Sequence, residues 1–141
     1  MVGGQSLDVY LTDKPMDKEQ LDYIFRLKTG ALIEAAFMAG GILAGCDEKT
    51  QGLLCKAGYN VGFAFQIKDD ILDVTSTQEV LGKPVLSDER NNKTTYVTLY
   101  GLEKAEKDTY DMSKEAMGII KSIGHNEYLE ELINMLIHRN K

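Results

Sequence analysis

Several residue types are scarce in this chain of 141 residues, and each scarcity excludes a class of protein. Tryptophan is absent and proline occurs only twice, so the chain is neither a collagen nor a proline-rich spacer. No apolar run reaches the length of about 18 residues that a membrane-spanning helix needs. No basic stretch followed by an apolar one lies near residue 1, so we expect a soluble, cytoplasmic protein.

Positive charge is also in deficit. Sixteen Lys and Arg residues stand against 22 Asp and Glu residues, for a net charge of −6. This sign is wrong for a protein that neutralises a phosphate backbone, so we do not expect nucleic acid as a partner. An acidic protein can still bind an anion where lysines are concentrated or where divalent cations bridge carboxylates to phosphate.

Cysteine occurs only as Cys46 and Cys55. Their spacing fits neither a metal site nor a redox pair. Both fall within helical patterns, so the sequence predicts two reduced thiols in the core.

Hydrophobic residues make up 43% of the chain, which is enough for the core of one domain. Their spacing predicts an all-α fold. Asp17 and Gln20 form a capping box, and Met16 can pack on Leu21 as a hydrophobic staple. These signals begin a helix that the apolar pattern extends to about Ala44.

Three more long helices and a functional loop are predicted further along the chain. A helical pattern runs from about residue 50 to 74, and apolar stripes over 105–123 and 129–137 indicate two amphipathic helices. Residues 77–81 should form a short helix that stops at a glycine. The segment 82–93 has no periodicity, and long ordered loops are often functional.

Three carboxylates interrupt the apolar helix predicted over residues 50–74. Gln66, Asp69, Asp70 and Asp73 fall within an arc of roughly 100° on one helix face. Like charges this close repel each other, so the arrangement is costly unless cations neutralise it. Mg²⁺ prefers oxygen ligands and is commonly held by one or two carboxylates together with substrate phosphates. The cluster therefore predicts a magnesium site that faces a phosphate, with a solvated acidic stripe as the alternative.

Three segments in this order resemble the trans-polyprenyl diphosphate synthase family: Lys-Thr-Gly-Ala-Leu at 28–32, Phe-Gln-Ile-Lys-Asp-Asp-Ile-Leu-Asp at 65–73, and Gly-Lys at 82–83 followed by Asn-Lys-Thr-Thr-Tyr at 92–96. Gly-Gly-Gln at 3–5 and Arg-Asn-Lys at 139–141 are similar to the bacterial farnesyl diphosphate synthase branch of that family. The resemblance covers the whole chain, but only the C-terminal half of the family's sequence.

The resemblance implies an all-α isoprenoid-synthase bundle, in which residues 1–141 form the C-terminal part of a single helical domain. Members of the family are usually homodimers. They carry two aspartate-rich motifs on facing helices, and this chain contains only what resembles the second. We therefore expect a fragment that is inactive alone.

The resemblance also implies a reaction. In that reaction, magnesium ions assist the departure of diphosphate from an allylic diphosphate, and the double bond of isopentenyl diphosphate attacks the resulting carbocation. Loss of a proton from the new cation then completes the formation of the C–C bond. Asp69, Asp70 and Asp73 are the expected metal ligands. The expected substrate-binding residues are Lys28, Thr29, Gln66, Lys83, Lys93, Arg139 and Lys141, with Asp69, Asp70 and Lys28 acting in catalysis.

Other interpretations stay open at this point. Geranylgeranyl diphosphate is a second candidate product, because the residues that set product length in the family lie beside the missing motif. A helical interaction module that has kept the acidic motif without activity is the competing function. Lys83 and Lys93 would then be solvated loop charges, and Arg139 and Lys141 would complement the dipole at a helix end.

Overall fold

The computed structural model describes residues 1–76 and 93–139, and within them every regular element is helical. The predicted all-α fold is therefore confirmed. No helix in these residues is long and apolar enough to span a membrane. In chain order, the elements are α1 (Val2–Tyr10), α2 (Lys18–Phe25), a π turn (Arg26–Gly30), α3 (Ala31–Leu43), α4 (Glu48–Thr75), α5 (Tyr96–Tyr100), α6 (Leu102–Ile123) and α7 (Glu127–His138).

The first predicted helix begins where its capping box places it. The Gln20 N–H donates to Asp17 Oδ1 at 2.9 Å, and the Asp17 N–H donates to Gln20 Oε1 at 3.1 Å. Met16 and Leu21 are both buried in one core cluster, as a staple requires. The helix is not uniform, because the π turn separates α2 from α3. Such a turn accommodates an extra residue and re-aims the side chains that it carries.

Two helices were not predicted from the sequence. α1 has no side-chain cap at Met1, so it lacks the usual signal of a helix start. α5 does carry a signal, since Thr95 and Thr98 form a reciprocal capping box, but the helix is too short for a periodic stripe. The other predicted long helices agree with α4, α6 and α7 within a few residues. The predicted helix at 77–81 and the loop from 82 to 92 lie outside the described residues.

α4 is the central helix and contributes to both clusters of the core. One cluster packs α4 against α1, α2, α5 and the start of α6, and the other packs α4 against α6 and α7. The first includes Leu11, Met16, Leu21, Ile24, Phe25, Phe63, Ile67, Ile71, Tyr96 and Ala105, and the second includes Ala57, Val61, Ala116, Ile120 and Ile133.

Glycines allow α4 to approach its neighbours backbone to backbone. A Cβ atom on Gly62 would lie 2.6 Å from Gly30 Cα, at the end of the π turn. One turn earlier, a Cβ on Gly58 would lie 2.8 Å from Glu34 Cα on α3. Both distances are too short for a real contact, so glycine is required where α4 crosses the π turn and α3.

The prediction that both cysteines sit in helices of the core is wrong. Cys46 lies in the connection between α3 and α4 and is half-buried, because α3 ends at Leu43 and Gly45 turns the chain with a φ of +74°. Cys55 lies on α4 but is also only half-buried. Its thiol donates to Glu34 Oε1 at 3.1 Å, and this hydrogen bond raises the pKa of Cys55.

The contact between α4 and the π turn predicts a stability difference between two glycines of the same helix. Gly62→Ala should lower the free energy of unfolding by about 1–3 kcal/mol, because the new methyl group meets rigid backbone. Gly52→Ala, whose Cβ meets nothing within 4 Å, should raise it by about 0.5–1 kcal/mol. Urea denaturation followed by circular dichroism measures both, and equal effects would contradict the packing described here.

Candidate functional site

A buried carboxylate on α1 gathers two of the predicted substrate-binding lysines. Asp8 is only 6% exposed. Lys28 Nζ, from the π turn, donates to Asp8 Oδ2 at 2.7 Å. Lys93 Nζ, from the segment before α5, lies 3.1 Å from Asp8 Oδ1 and 3.4 Å from Oδ2. The fold therefore brings together two cations that are far apart in the sequence.

The charges around Asp8 decide its protonation state. Burial alone disfavours the ionised carboxyl, but the hydrogen bond from Lys28 and the charges of Lys93 and Lys28 outweigh that cost. The pKa of Asp8 is therefore lower than that of an ordinary aspartate. The ionised Asp8 carboxylate therefore lies between the side chains of two lysines.

Close packing fixes the π turn against α1. Gly4 lies one helical turn before Asp8, on the same face of α1. A Cβ atom on Gly4 would lie 2.5 Å from the backbone nitrogen of Lys28. Because this face touches the turn directly, Asp8 is positioned to receive the Lys28 ammonium group.

The three predicted metal ligands on α4 have different surroundings. Asp69 is partly exposed, with a side-chain exposure of 45%, whereas Asp73 is 2% exposed. Gln66, on the same face, is also buried. Within residues 1–76 and 93–139, no group of three or more His, Cys, Asp or Glu side chains is arranged to hold a metal ion. A site built here would need oxygen ligands from a bound molecule, which is how Mg²⁺ is often held.

Asp69 pairs with Arg139, just beyond the end of α7. The Arg139 guanidinium forms a short ion pair with Asp69 Oδ1, and it also donates to the Phe65 carbonyl oxygen at 3.2 Å. Its central carbon lies 3.9 Å from the centre of the Phe65 ring, a geometry that favours cation–π attraction. Asp69, Asp70 and Asp73 form the acidic face of α4. Arg139 thus supplies the cation at Asp69, the first of these carboxylates.

Asp70 has a different partner. The Tyr96 backbone N–H, in the first turn of α5, donates to Asp70 Oδ2 at 2.6 Å. The Tyr96 hydroxyl donates to Asp108 Oδ2 at 2.6 Å. Tyr96 therefore holds α5 in place through both its backbone and its side chain. Burial and the hydrogen bond to Asp108 raise the pKa of Tyr96, which keeps its hydroxyl protonated as a donor.

The structure combines the predicted residues into two groups. Lys28 and Lys93 meet at Asp8, and Asp69 meets Arg139. Thr29 is half-buried beside Lys28 in the π turn. Lys83 and Lys141 lie outside the described residues, so their predicted roles stay predictions.

Asp8 and the Tyr96 N–H were not predicted from the sequence as functional groups. A glycine four residues before an aspartate is the only local sign of Asp8, and it is too common to identify a site. For Tyr96, the capping box at Thr95 and Thr98 could have indicated that a helix starts beside the Asn-Lys-Thr-Thr-Tyr segment. Nothing in the sequence pairs that start with Asp70.

Comparisons with known proteins agree on one family. A family model described as Polyprenyl synthetase matches residues 1–136. The chain is 41% identical to the farnesyl diphosphate synthase of Micrococcus luteus over 142 residues, which cover 100% of the chain and 49% of the relative. It is 41% identical over 117 residues to a geranylgeranyl diphosphate synthase of Cyanophora paradoxa, with 82% of the chain and 39% of the relative covered.

A solved structure gives the same result. A geranyltransferase from Helicobacter pylori, complexed with magnesium and isoprenyl diphosphate, is 33% identical with a TM-score of 0.77. The match covers 97% of this chain and 45% of that one. The chain spans about half the length, or less, of these relatives. The expected likeness to part of an isoprenoid-synthase bundle is confirmed.

The contact between Asp70 and α5 predicts that two substitutions of Asp70 differ in stability. Asp70→Ala removes the acceptor of the Tyr96 N–H and should lower the free energy of unfolding by about 1–2 kcal/mol, as loss of a helix cap does. Asp70→Asn keeps an oxygen at that position and should lower the free energy of unfolding clearly less. Thermal and urea unfolding of the two variants measure this difference. An Asp70→Ala variant as stable as wild type would show that the carboxylate does not hold α5.

Proposed function

Because the chain belongs to the polyprenyl synthetase family, we propose that it contributes to a site that joins an allylic diphosphate to isopentenyl diphosphate. The observation that carries the proposal is the lysine pair at Asp8. In a chain of net charge −6, two ammonium groups gathered at one place create a local attraction for anions. Farnesyl diphosphate is the preferred product, with geranylgeranyl diphosphate as the alternative, since relatives of both kinds are 41% identical.

Several residues of the chain are proposed to bind the diphosphate. Lys28 and Lys93 donate hydrogen bonds to it and neutralise the charge that it gains as it leaves. Thr29 and Gln66 add neutral hydrogen bonds. Lys83, Arg139 and Lys141 are proposed as further anion contacts.

The acidic face of α4 suits magnesium ions shared with the substrate. Asp69 and Asp70 are partly exposed, and few carboxylates are needed when phosphate oxygens complete the coordination. Bound there, magnesium would supply Lewis-acid stabilisation of the departing diphosphate. Asp73 is buried and is proposed to contribute less directly.

The proposed protein is a cytoplasmic homodimer. The exposed apolar side chains of α3 support association: Leu32 is 53% exposed, Ile42 56% and Leu43 88%. Apolar side chains clustered on one helix commonly mark an interaction surface. The 141 residues supply only one aspartate-rich motif, so we propose that they do not turn over substrate alone.

A chimeric enzyme tests the proposed reaction. This chain replaces the matching segment of the Micrococcus luteus synthase, and the chimera is assayed with geranyl diphosphate, isopentenyl diphosphate and Mg²⁺. We expect turnover by the chimera and none by the 141-residue chain. Turnover by the chain alone would contradict its proposed inactivity. A folded but inactive chimera would contradict prenyl transfer and favour the non-catalytic interaction module.

Substitutions in the chimera test the acidic face. Asp69→Asn and Asp70→Asn should each lower kcat by orders of magnitude, because the metal that these carboxylates would hold stabilises the charge on the departing diphosphate more than it stabilises the bound substrate. Asp73→Asn should lower kcat by a smaller factor. Asp111→Asn is the matched control, because Asp111 forms an exposed ion pair with Lys107 on α6. Near-normal turnover of the Asp69 variant, with raised stability, would favour a solvated acidic stripe.

The ion pair between Arg139 and Asp69 predicts a change in metal affinity. A divalent cation that binds Asp69 has to compete with the Arg139 guanidinium. With pyrophosphate present to supply the further oxygen ligands, Arg139→Gln should therefore tighten Mn²⁺ binding by up to about fivefold, the size expected for a partly exposed ion pair. Asp69→Asn should abolish the gain. Electron paramagnetic resonance of free Mn²⁺ measures both. Equal affinities of wild type and Arg139→Gln would contradict the competition.

A further inference from the structure

We propose that Asp8 is a positioning residue that makes the lysine pair selective for a diphosphate over a single phosphate group. The inference rests on the proposed function, because it takes the lysine pair as the site of a diphosphate. It adds a residue that does not touch the ligand. Asp8 would act through Lys28 and Lys93, whose ammonium groups it holds side by side.

The geometry at Asp8 limits the separation of the two ammonium groups. Lys28 Nζ lies 2.7 Å from Oδ2, and Lys93 Nζ lies 3.4 Å from the same oxygen. The distance between the two nitrogens therefore cannot exceed the sum of these two distances. Neither lysine side chain is fully exposed, at 28% and 26%, and each keeps part of its surface open to an incoming anion.

The Asp8 carboxylate is buried on a tightly packed helix face. It is 6% exposed, and its helix face is pressed against the π turn at Gly4, where even a methyl group would meet the backbone of Lys28. A side chain on a rigid element holds its partners more accurately than one on a loop. Asp8 can therefore fix the positions of both ammonium groups before any ligand binds.

Fixed positions favour a ligand with two phosphoryl groups. A free lysine side chain loses much rotamer entropy when it is immobilised on a ligand. Where the pair is already ordered, a diphosphate can contact both ammonium groups without that loss. A single phosphate group makes fewer contacts with the two ammonium groups. The ordering of the lysine side chains should therefore raise its affinity less.

The charge of Asp8 by itself acts in the opposite direction. A carboxylate beside the site repels every anion, and it repels the more highly charged anion more strongly. If Asp8 only contributed charge, its removal would raise the preference for diphosphate. A fall in that preference after removal therefore identifies positioning.

Calorimetric titration of the 141-residue chain with inorganic pyrophosphate and with inorganic phosphate tests the proposal. Asp8→Asn keeps the size of the side chain and removes its charge. We expect the ratio of pyrophosphate to phosphate affinity to fall about tenfold, which corresponds to about 1.4 kcal/mol. Asp111→Asn, which breaks an exposed ion pair on α6, should leave the ratio unchanged. An unchanged or increased ratio in Asp8→Asn would overturn the proposal.

Lys28→Gln separates failure of this inference from failure of the proposed function. If wild type shows no preference for pyrophosphate, or if Lys28→Gln keeps it, the lysine pair is not a diphosphate site and both fail. If Lys28→Gln loses the preference and Asp8→Asn keeps it, only the role of Asp8 fails.

Nuclear magnetic resonance of the lysine ammonium groups provides a test that does not require a folded variant of Asp8. In wild type, the Lys28 and Lys93 signals should shift together, with one dissociation constant, as pyrophosphate is added. A shift of one signal without the other would overturn the proposal.

Discussion

The close approach of three backbone segments at the π turn is the constraint on which the rest of this structure depends. Gly62 lets α4 reach Gly30 at the end of the turn, and Gly4 lets α1 reach the backbone of Lys28. Larger side chains at these glycines would separate α1 and α4 from the turn. Because Lys28 belongs to the turn, the contact at Gly4 brings its ammonium group within reach of Asp8.

Partners from other parts of the chain explain how a cluster of carboxylates is tolerated on the central helix. Each of the first two has its own partner, Arg139 for Asp69 and the Tyr96 N–H for Asp70. These partners come from opposite ends of the segment that follows residue 92. A cation and a backbone dipole thus offset part of the repulsion between neighbouring negative charges. The acidic face is consequently tied to the positions of α5 and the end of α7.

Family membership and proposed chemistry rest on different observations. The family model matches residues 1–136, which establishes the family independently of any single side chain. The proposed reaction depends on the lysine pair and the acidic face, and on parts of the relatives that these 141 residues do not cover. The exposed apolar side chains of α3 suit a chain that packs against further protein surface.

The sequence by itself determined most of the helices and the acidic face, because helix caps and apolar stripes depend on residues three or four positions apart. It also indicated the family. It did not reveal α1, which lacks a cap, or the role of Asp8. The partners of Asp8 lie 20 and 85 positions away in the sequence, and no local sequence pattern predicts such pairings. Only the packing of α1 on the π turn decided which carboxylate the two lysines share.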